Sequence, residues 1–452
     1  MNPAVSTPTV GGTRLRSRRR QVLWDGGTAA VAAWTAACGV GGSQGTPQQS
    51  AKPVTLSWMT DWTGGARGEA TKQSIATYQS LFPHVTLELQ AVTSDLQQAQ
   101  TANLAAGTLA SVLYFSPNWF EQWAEKGLIS DLGPWLKKYR FEKDGYFWDS
   151  RAMEYKGKTY TLPYHLGDGV WVYNQSMFER AGVALPTDAW TTEDFLAAGR
   201  KLTKASENQW GIEMVSTAAH AWPWIYAQGL DLVDLSGPVR KTIIDQPKQR
   251  EVFQYAYDLV QRYQVSPVLE GKNAVKGLSF QAGNFGMRNG NAPKTLKDPI
   301  KDQFKWGVMP TPRWAGNKKR STNSNHAPQL ISKLGEQRGH AEAAAQFIIW
   351  MAGEGGQTIV AKTGAAVPVH KKTAYSSVYL DGSVPTLKTE LDMLETKPDQ
   401  LPRGRPVFRE FIPWYAALTA VTAQGFGGEI AFGEMITKAT QDADAAIRKG
   451  VS

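Results

Sequence analysis

Cysteine is almost missing from this chain: Cys38 is the only one in 452 residues. No internal disulfide can form, so stability must come from burial. Long apolar runs are missing as well. Beyond residue 37 no stretch approaches the roughly 18 apolar residues that a membrane helix needs, so that part is expected to be soluble. Histidine is sparse: the six His are scattered, without H-E-x-x-H or similar spacing. Neither a metal nor any other cofactor is therefore expected. No Walker A loop is present. The net charge of +9 is mild, and residues 1–37 hold five Arg and one Asp of it, which leaves +5 for the rest. So small and dispersed an excess argues against a nucleic-acid partner. Gly41-Gly42-Ser43-Gln44-Gly45 fits the G-x-S-x-G pattern of a hydrolase nucleophile, but it lacks the strand before and helix after that the motif requires.

What is present begins with a basic head, Arg14, Arg16 and Arg18-Arg19-Arg20. A weakly apolar run follows, interrupted by Asp25, Gly26 and Gly27, and then Thr35-Ala36-Ala37 before Cys38. This order predicts an export signal over 1–37 that ends at a lipidation site, Cys38. Arg19-Arg20-Gln21-Val22-Leu23 resembles the twin-arginine export motif. Thr35 stands where bacterial lipoprotein signals usually carry a Leu-like residue. Residues 38–53 read as a flexible Gly/Ser/Gln/Thr/Pro tether. The expected address is outside the cytoplasm, anchored to the cell membrane by lipid. About 400 residues remain, enough for two to three domains.

Val54–Met59 alternates as a strand, Glu69–Leu81 as a helix stopped by Phe82-Pro83, and Val85–Leu89 as a second strand. Asp95–Ala106 reads as a helix closed by Gly107, and Ser111–Phe115 as a third strand. This βαβαβ order predicts an α/β fold around a parallel, doubly wound sheet. Thr159–Pro163 reads as a short strand ending in Pro, Gly169–Asn174 as a further strand, and residues 190–300 as mostly helical. Trp306–Pro310 returns as a strand, Asn317–Ser324 as a polar loop, and Ala341–Met351 as a helix. Pro413–Ala446 is helical with a break near Gly425–Gly428. Tryptophan is abundant, 17 residues against 16 Phe and 15 Tyr. Trp58, Trp171, Trp306 and Trp350 fall inside elements and are expected in the core. A surplus of large flat rings also suits stacking on sugar rings.

Several segments occur in the order of a known family. They are Leu104–Thr108, Gly157–Pro163, Val172–Phe178 with Ala181-Gly182-Val183 and Pro186, Trp190–Phe195, Phe280–Met287, Trp306–Pro312, and Ala344–Phe347 followed by Gly364–Pro368. Together they resemble the family 1 extracellular solute-binding proteins of ABC importers, the maltose-binding-protein class. Leu109-Ala110-Ser111 departs from the Pro-Asp common there, and Ser321–His326 replaces the usual Gly-rich segment. The resemblance implies two α/β lobes with the ligand cleft at their hinge. The expected lobes are 54–165 plus about 313–362, and about 166–312 plus 363–452 with the C-terminal helices. It also implies a carbohydrate ligand, an oligosaccharide or glycoside in chemical class, delivered to permease subunits by a monomer without catalytic residues.

Candidate ligand residues follow from loop position, at the carboxyl ends of strands and at lobe crossings. Asp61 and Trp62 follow the first strand; Asn118 and Trp119 follow the third. Tyr164 and His165 lie at the first crossing, and Asn323, Asn325 and His326 at the return crossing. Trp222 and Trp224 are expected in a Pro-containing loop, and Arg405 before the last helices. Plainer roles stand beside these: Trp119 as a helix-start residue packed inward, Trp222 and Trp224 as core, Asp61 as a turn former, Arg405 as an ion-pair partner. Two alternatives follow. A glycerol phosphate or similar anion would draw on Arg405 and His326. A secreted carbohydrate-active enzyme would need two facing carboxylates, from Asp61, Glu121, Asp168 and Glu213.

Overall fold

The computed structural model describes residues 52–214, 217–237, 239–290 and 293–451. The expected signal, Cys38, the G-x-S-x-G segment and all but the end of the tether lie outside the described residues. In chain order the strands are β1 (Val54–Thr60), β2 (Val85–Ala91), β3 (Val112–Tyr114), β4 (Glu154–Tyr155), β5 (Lys158–Thr159), β6 (Thr161–Asp168), β7 (Val170–Asn174), β8 (Trp210–Glu213), β9 (Val233–Asp234), β10 (Lys241–Thr242), β11 (Phe285–Gly290), β12 (Trp306–Met309) and β13 (Ser324–Ile331).

They form a five-stranded sheet, β2-β1-β3-β13-β6, a four-stranded sheet, β12-β7-β11-β8, and two small hairpins. In the first sheet β1 runs parallel to β2 and β3, as the βαβαβ order requires. β13 and β6 add antiparallel strands that the expected parallel sheet did not include. Their register shifts between Ala327 and Pro328, where Pro328 lies opposite Pro163. Neither proline has an N–H to give the ladder, so pairing is interrupted there. β6 nevertheless continues through Pro163 to Asp168, which puts Tyr164 and His165 on a strand and not after one.

The second sheet is mixed. β7 is antiparallel to β11 and β12, and β11 is parallel to β8. Residues 190–300 therefore hold strands as well as the helices Thr192–Leu202, Thr217–Ala227 and Pro247–Gln261. Each sheet carries its own apolar core. Trp58, Tyr78 and Phe347 are buried against the first, and Trp171, Phe195, Trp222, Trp224 and Trp414 against the second. Trp306 is buried as expected, whereas Trp350 is only half-buried, edge-on to Tyr78 at 5.2 Å. The helices Phe411–Phe426 and Phe432–Val451 pack together over the second core.

The chain passes between sheets at closely stacked points. Gly169 joins β6 to β7 and donates its N–H to Asn323 O at 2.9 Å. A Cβ there would lie 2.6 Å from Asn323 Cβ, so only glycine fits. Segment 400–405 then runs beside 320–325, with Arg403 N donating to Thr322 O at 3.0 Å and Ser324 N to Arg403 O at 3.2 Å. Gly404 lies so close that a Cβ would sit 2.6 Å from Ser324 O.

Trp222 and Trp224 correct the sequence reading of a loop. They sit in the helix Thr217–Ala227, with Pro223 inside it. Proline has no N–H for the carbonyl four residues back, Ala219 O. The Asn323 Nδ2 donates to that carbonyl at 3.4 Å. The helix thus survives its proline through a residue of the return crossing.

Candidate functional site

Two cavities meet over the crossing strands. The larger, about 520 Å³, lies against the first lobe and the smaller, about 260 Å³, against the second. Asn325 and Arg405 line both, so they form one cleft. The Arg405 backbone N–H donates to Asn325 Oδ1 at 3.0 Å, and its guanidinium lies 5.3 Å from the centre of the Tyr415 ring.

The first-lobe half is built where β1 and β3 end. Thr60 Oγ1 accepts from Trp62 N at 3.1 Å, and Thr71 Oγ1 donates to Trp62 O at 2.9 Å. These bonds turn Trp62 inward, where its ring packs 4.7 Å from Tyr164 and 4.7 Å from His165. Trp62 and Tyr164 therefore form the wall behind the cavity, while Asp61 lines its mouth. Burial raises the Asp61 carboxyl above its ordinary value, against the pull of Arg67, which stands over the Trp62 ring.

His165 lines the cavity with Tyr114, whose hydroxyl is 2.9 Å from His165 Nε2. Burial pushes the imidazole down to about 3 and the phenol up, so both are neutral near pH 7. Beyond β3, Asn118 and Trp119 open the helix Phe120–Glu125, which has no side-chain cap. Neither side chain is used by the helix start. Both are buried along the cavity wall, and Asn118 Oδ1 and Trp119 Nε1 have no hydrogen-bond partner among the described residues.

In the second-lobe half, Trp222 meets Tyr415 edge-on at 5.7 Å. Its Nε1 and Asn323 Oδ1 are also buried without a hydrogen-bond partner among the described residues, and both residues line the smaller cavity. Each such buried group costs about 1–3 kcal/mol unless something bonds to it. Glu213 and Arg288 face each other at 3.7 Å, and Phe280 N donates to Glu213 Oε2 at 3.1 Å. Burial raises the Glu213 carboxyl, with Arg288 opposing, and burial pushes His220 down to about 3.

The twelve candidate residues thus separate. Asp61, Asn118, Trp119, His165, Asn325, His326 and Arg405 line the larger cavity, and Trp222, Asn323, Asn325 and Arg405 the smaller. Trp62 and Tyr164 stand behind. Trp224 lines neither; it donates to Pro312 O at 3.0 Å and stacks on Trp171 at 6.5 Å. A third cavity of about 920 Å³ beside Phe147–Arg151 adjoins the larger one through Asp149, Ser324 and His326, and His326 Nε2 lies 2.7 Å from Phe147 O. Around that third cavity Arg151 pairs with Asp149, Lys143 with Glu154 and Lys371 with Glu395. Sequence reasoning missed Arg67, Tyr114, His220, Arg288, Asn289 and Tyr415 as cleft residues. The only signal for Arg288 and Asn289 was the Phe280–Met287 segment, which runs directly into them.

Of the four carboxylates weighed for an enzyme, Asp61 and Glu213 line different cavities, and Glu121 lines neither. Among the described residues no group of three or more His, Cys, Asp or Glu could hold a metal ion. No described helix is long and apolar enough to cross a membrane.

Known proteins are similar to this chain. The arabinooligosaccharide-binding protein of Bacillus subtilis (strain 168) is 25% identical over 238 residues, 50% of this chain and 51% of its own length. The chain thus spans about half the length of the curated relatives it matches. An ABC substrate-binding protein from Listeria monocytogenes, solved in complex with cycloalternan, superposes with a TM-score of 0.72 at 20% identity, covering 88% of this chain and 99% of that one. A cyclic alpha-maltosyl-1,6-maltose binding protein from Arthrobacter globiformis gives 0.72 at 20% identity, covering 88% and 100%. These establish the two-lobe fold. A family model described as bacterial extracellular solute-binding protein matches residues 62–358, and the chain belongs to that family.

Proposed function

We propose that this chain is the extracytoplasmic binding component of an ABC importer. It takes a neutral carbohydrate, an oligosaccharide or glycoside, between its lobes and delivers it to membrane permease subunits. One observation carries the reading. Both halves of the cleft are lined by aromatic residues beside polar ones, Tyr114 and Trp119 with Asn118 on one side, Trp222 and Tyr415 with Asn323 on the other, and the Asn118 and Asn323 side-chain oxygens have no hydrogen-bond partner among the described residues. Rings suit the apolar faces of a sugar, and the polar atoms suit its hydroxyls. The sugars named for the relatives support the same class.

Charge does not favour a phosphate ester. Arg67 and Arg405 share the larger cavity with Asp61, Asp95 and Asp149, so the cavity carries no excess of positive charge. Burial lowers the His326 pKa, so its ring is neutral and brings no positive charge. Calorimetry of the protein with arabino-, malto- and cyclic gluco-oligosaccharides, and with glycerol 3-phosphate, tests the proposal. Saturable binding of a neutral oligosaccharide without product is expected. Tighter binding of the phosphate, or release of shortened sugars, overturns it.

The proposed courier works as a monomer tethered through Cys38 at the membrane. Cys38→Ser should move the protein from the membrane to the soluble fraction. Equal solubility of both forms removes the lipid anchor from the account.

A further inference from the structure

One contact joins the lobes outside the cleft. Glu121 lies on the helix Phe120–Glu125, whose Phe120 and Trp123 are buried with Met59, Leu113 and Leu330 of the first lobe. Arg240 lies just before β10, whose buried Thr242 accepts from Trp414 Nε1 at 3.0 Å in the second lobe. Arg240 Nη1 pairs with Glu410 Oε2 at 3.1 Å, and its Nη2 reaches Glu121 Oε2 at 3.7 Å.

The guanidinium is positioned from its own side. Glu410 is almost fully buried beneath it, and Phe408 presents its ring 6.0 Å away. With one arm fixed in the second lobe, the other is held out to the first. Arg409 also pairs with Glu410, at 3.8 Å. On the first-lobe helix Glu125 is bonded by Tyr155 and Lys156 of its own lobe, so Glu121 is the acid that faces the second lobe. Alongside, Val407 and Ile412 pack against the first lobe's apolar cluster. Trp119 and Val407, which line the cleft, adjoin this contact in the chain.

We infer that Arg240 is a positioning residue for lobe closure, and that its pair with Glu121 is an electrostatic latch at one rim of the cleft. An interaction made only when the lobes are together biases the equilibrium toward the closed form by its own free energy. The two side chains are 30% and 19% exposed, so the pair is partly shielded from water yet open to salt. The expected bias is roughly two- to fivefold in the closed-to-open ratio. The effect on ligand residence rests on the sugar-binding proposal; the latch itself does not, and it is tested without ligand.

Spin labels on Lys72→Cys and Lys248→Cys, both exposed helix positions of opposite lobes, in a Cys38→Ser background, report the distance between lobes. Glu121→Gln removes only the arm that spans the lobes and leaves Arg240–Glu410 in place. At low salt it should shift the distance distribution toward longer values by that two- to fivefold ratio. Wild type should approach the variant's distribution near 1 M salt, where screening is almost complete. Adding Arg240→Gln to Glu121→Gln should extend the shift little, because the shared contact is already gone. Unchanged melting of Glu121→Gln excludes general unfolding as the cause. Identical wild-type and Glu121→Gln distributions at low salt overturn the latch, whatever the ligand proves to be.

Discussion

The two halves of the cleft are built in different ways. The first-lobe half sits at the ends of parallel strands, where β1 and β3 hand over to Asp61 and to Asn118-Trp119. Its lining mixes charged groups, Asp61, Arg67 and Asp95, with His165 and Tyr114, which burial holds neutral. The second-lobe half is smaller and relies on distant parts of the chain. Trp222 comes from a proline-bearing helix, Glu213 and Arg288 from neighbouring strands, and Tyr415 from a C-terminal helix. Local chain order supplies the strand-end residues of the first half, to which the crossings add Asn325, His326 and Arg405. Tertiary packing makes all of the second.

That contrast can be broken at single residues. The largest effect is expected for Trp222→Ala. Its fully buried ring packs on Trp414 and Tyr415, so its loss should destabilise folding by about 3–5 kcal/mol in denaturant titrations. A change below about 1 kcal/mol would separate Trp222 from the core after all. Because the Trp119 ring is also part of the first-lobe core, Trp119→Ala should cost some stability and, in the folded variant, weaken oligosaccharide affinity about tenfold, or ~1.4 kcal/mol, in calorimetry. Wild-type affinity in the folded variant would return Trp119 to a purely structural role.

The smallest effect concerns pH. Burial depresses the folded-state pKa of His165 to about 3. The unfolded chain then binds more protons below its ordinary value near 6.5. The contribution of neutral His165 to stability is therefore complete above about pH 6.5 and is lost as pH falls toward 3. Thermal melting of His165→Asn should decline less steeply than wild type across that window. Parallel profiles would mean that His165 does not titrate with folding.

The same contrast explains what could be read in advance. Alternating apolar residues followed by Asp61 or Asn118 mark a strand and its exit from local sequence alone. Trp62 was legible as a loop residue, but its inward turn depends on Thr71, nine residues on. Pro223 reads locally as a helix breaker. The helix persists because Asn323, 104 positions from Ala219, bonds the Ala219 carbonyl that the proline leaves free. Arg288 and Asn289 were unreadable as cleft residues, because the face they present is set by pairing with β7. The added antiparallel strands β13 and β6 likewise depend on pairing across more than 150 residues, between Ser324 and Asp168.

The central claim is that one sugar bridges two unlike half-sites. A crystal structure of the protein with the oligosaccharide that binds most tightly tests it most directly. The account predicts a sugar ring against Trp119, hydroxyls bonded to Asn118 and Asn323, and contact with Trp222 from the second lobe. A ligand held by one lobe alone, or seated only in the cavity beside Phe147–Arg151, would contradict it.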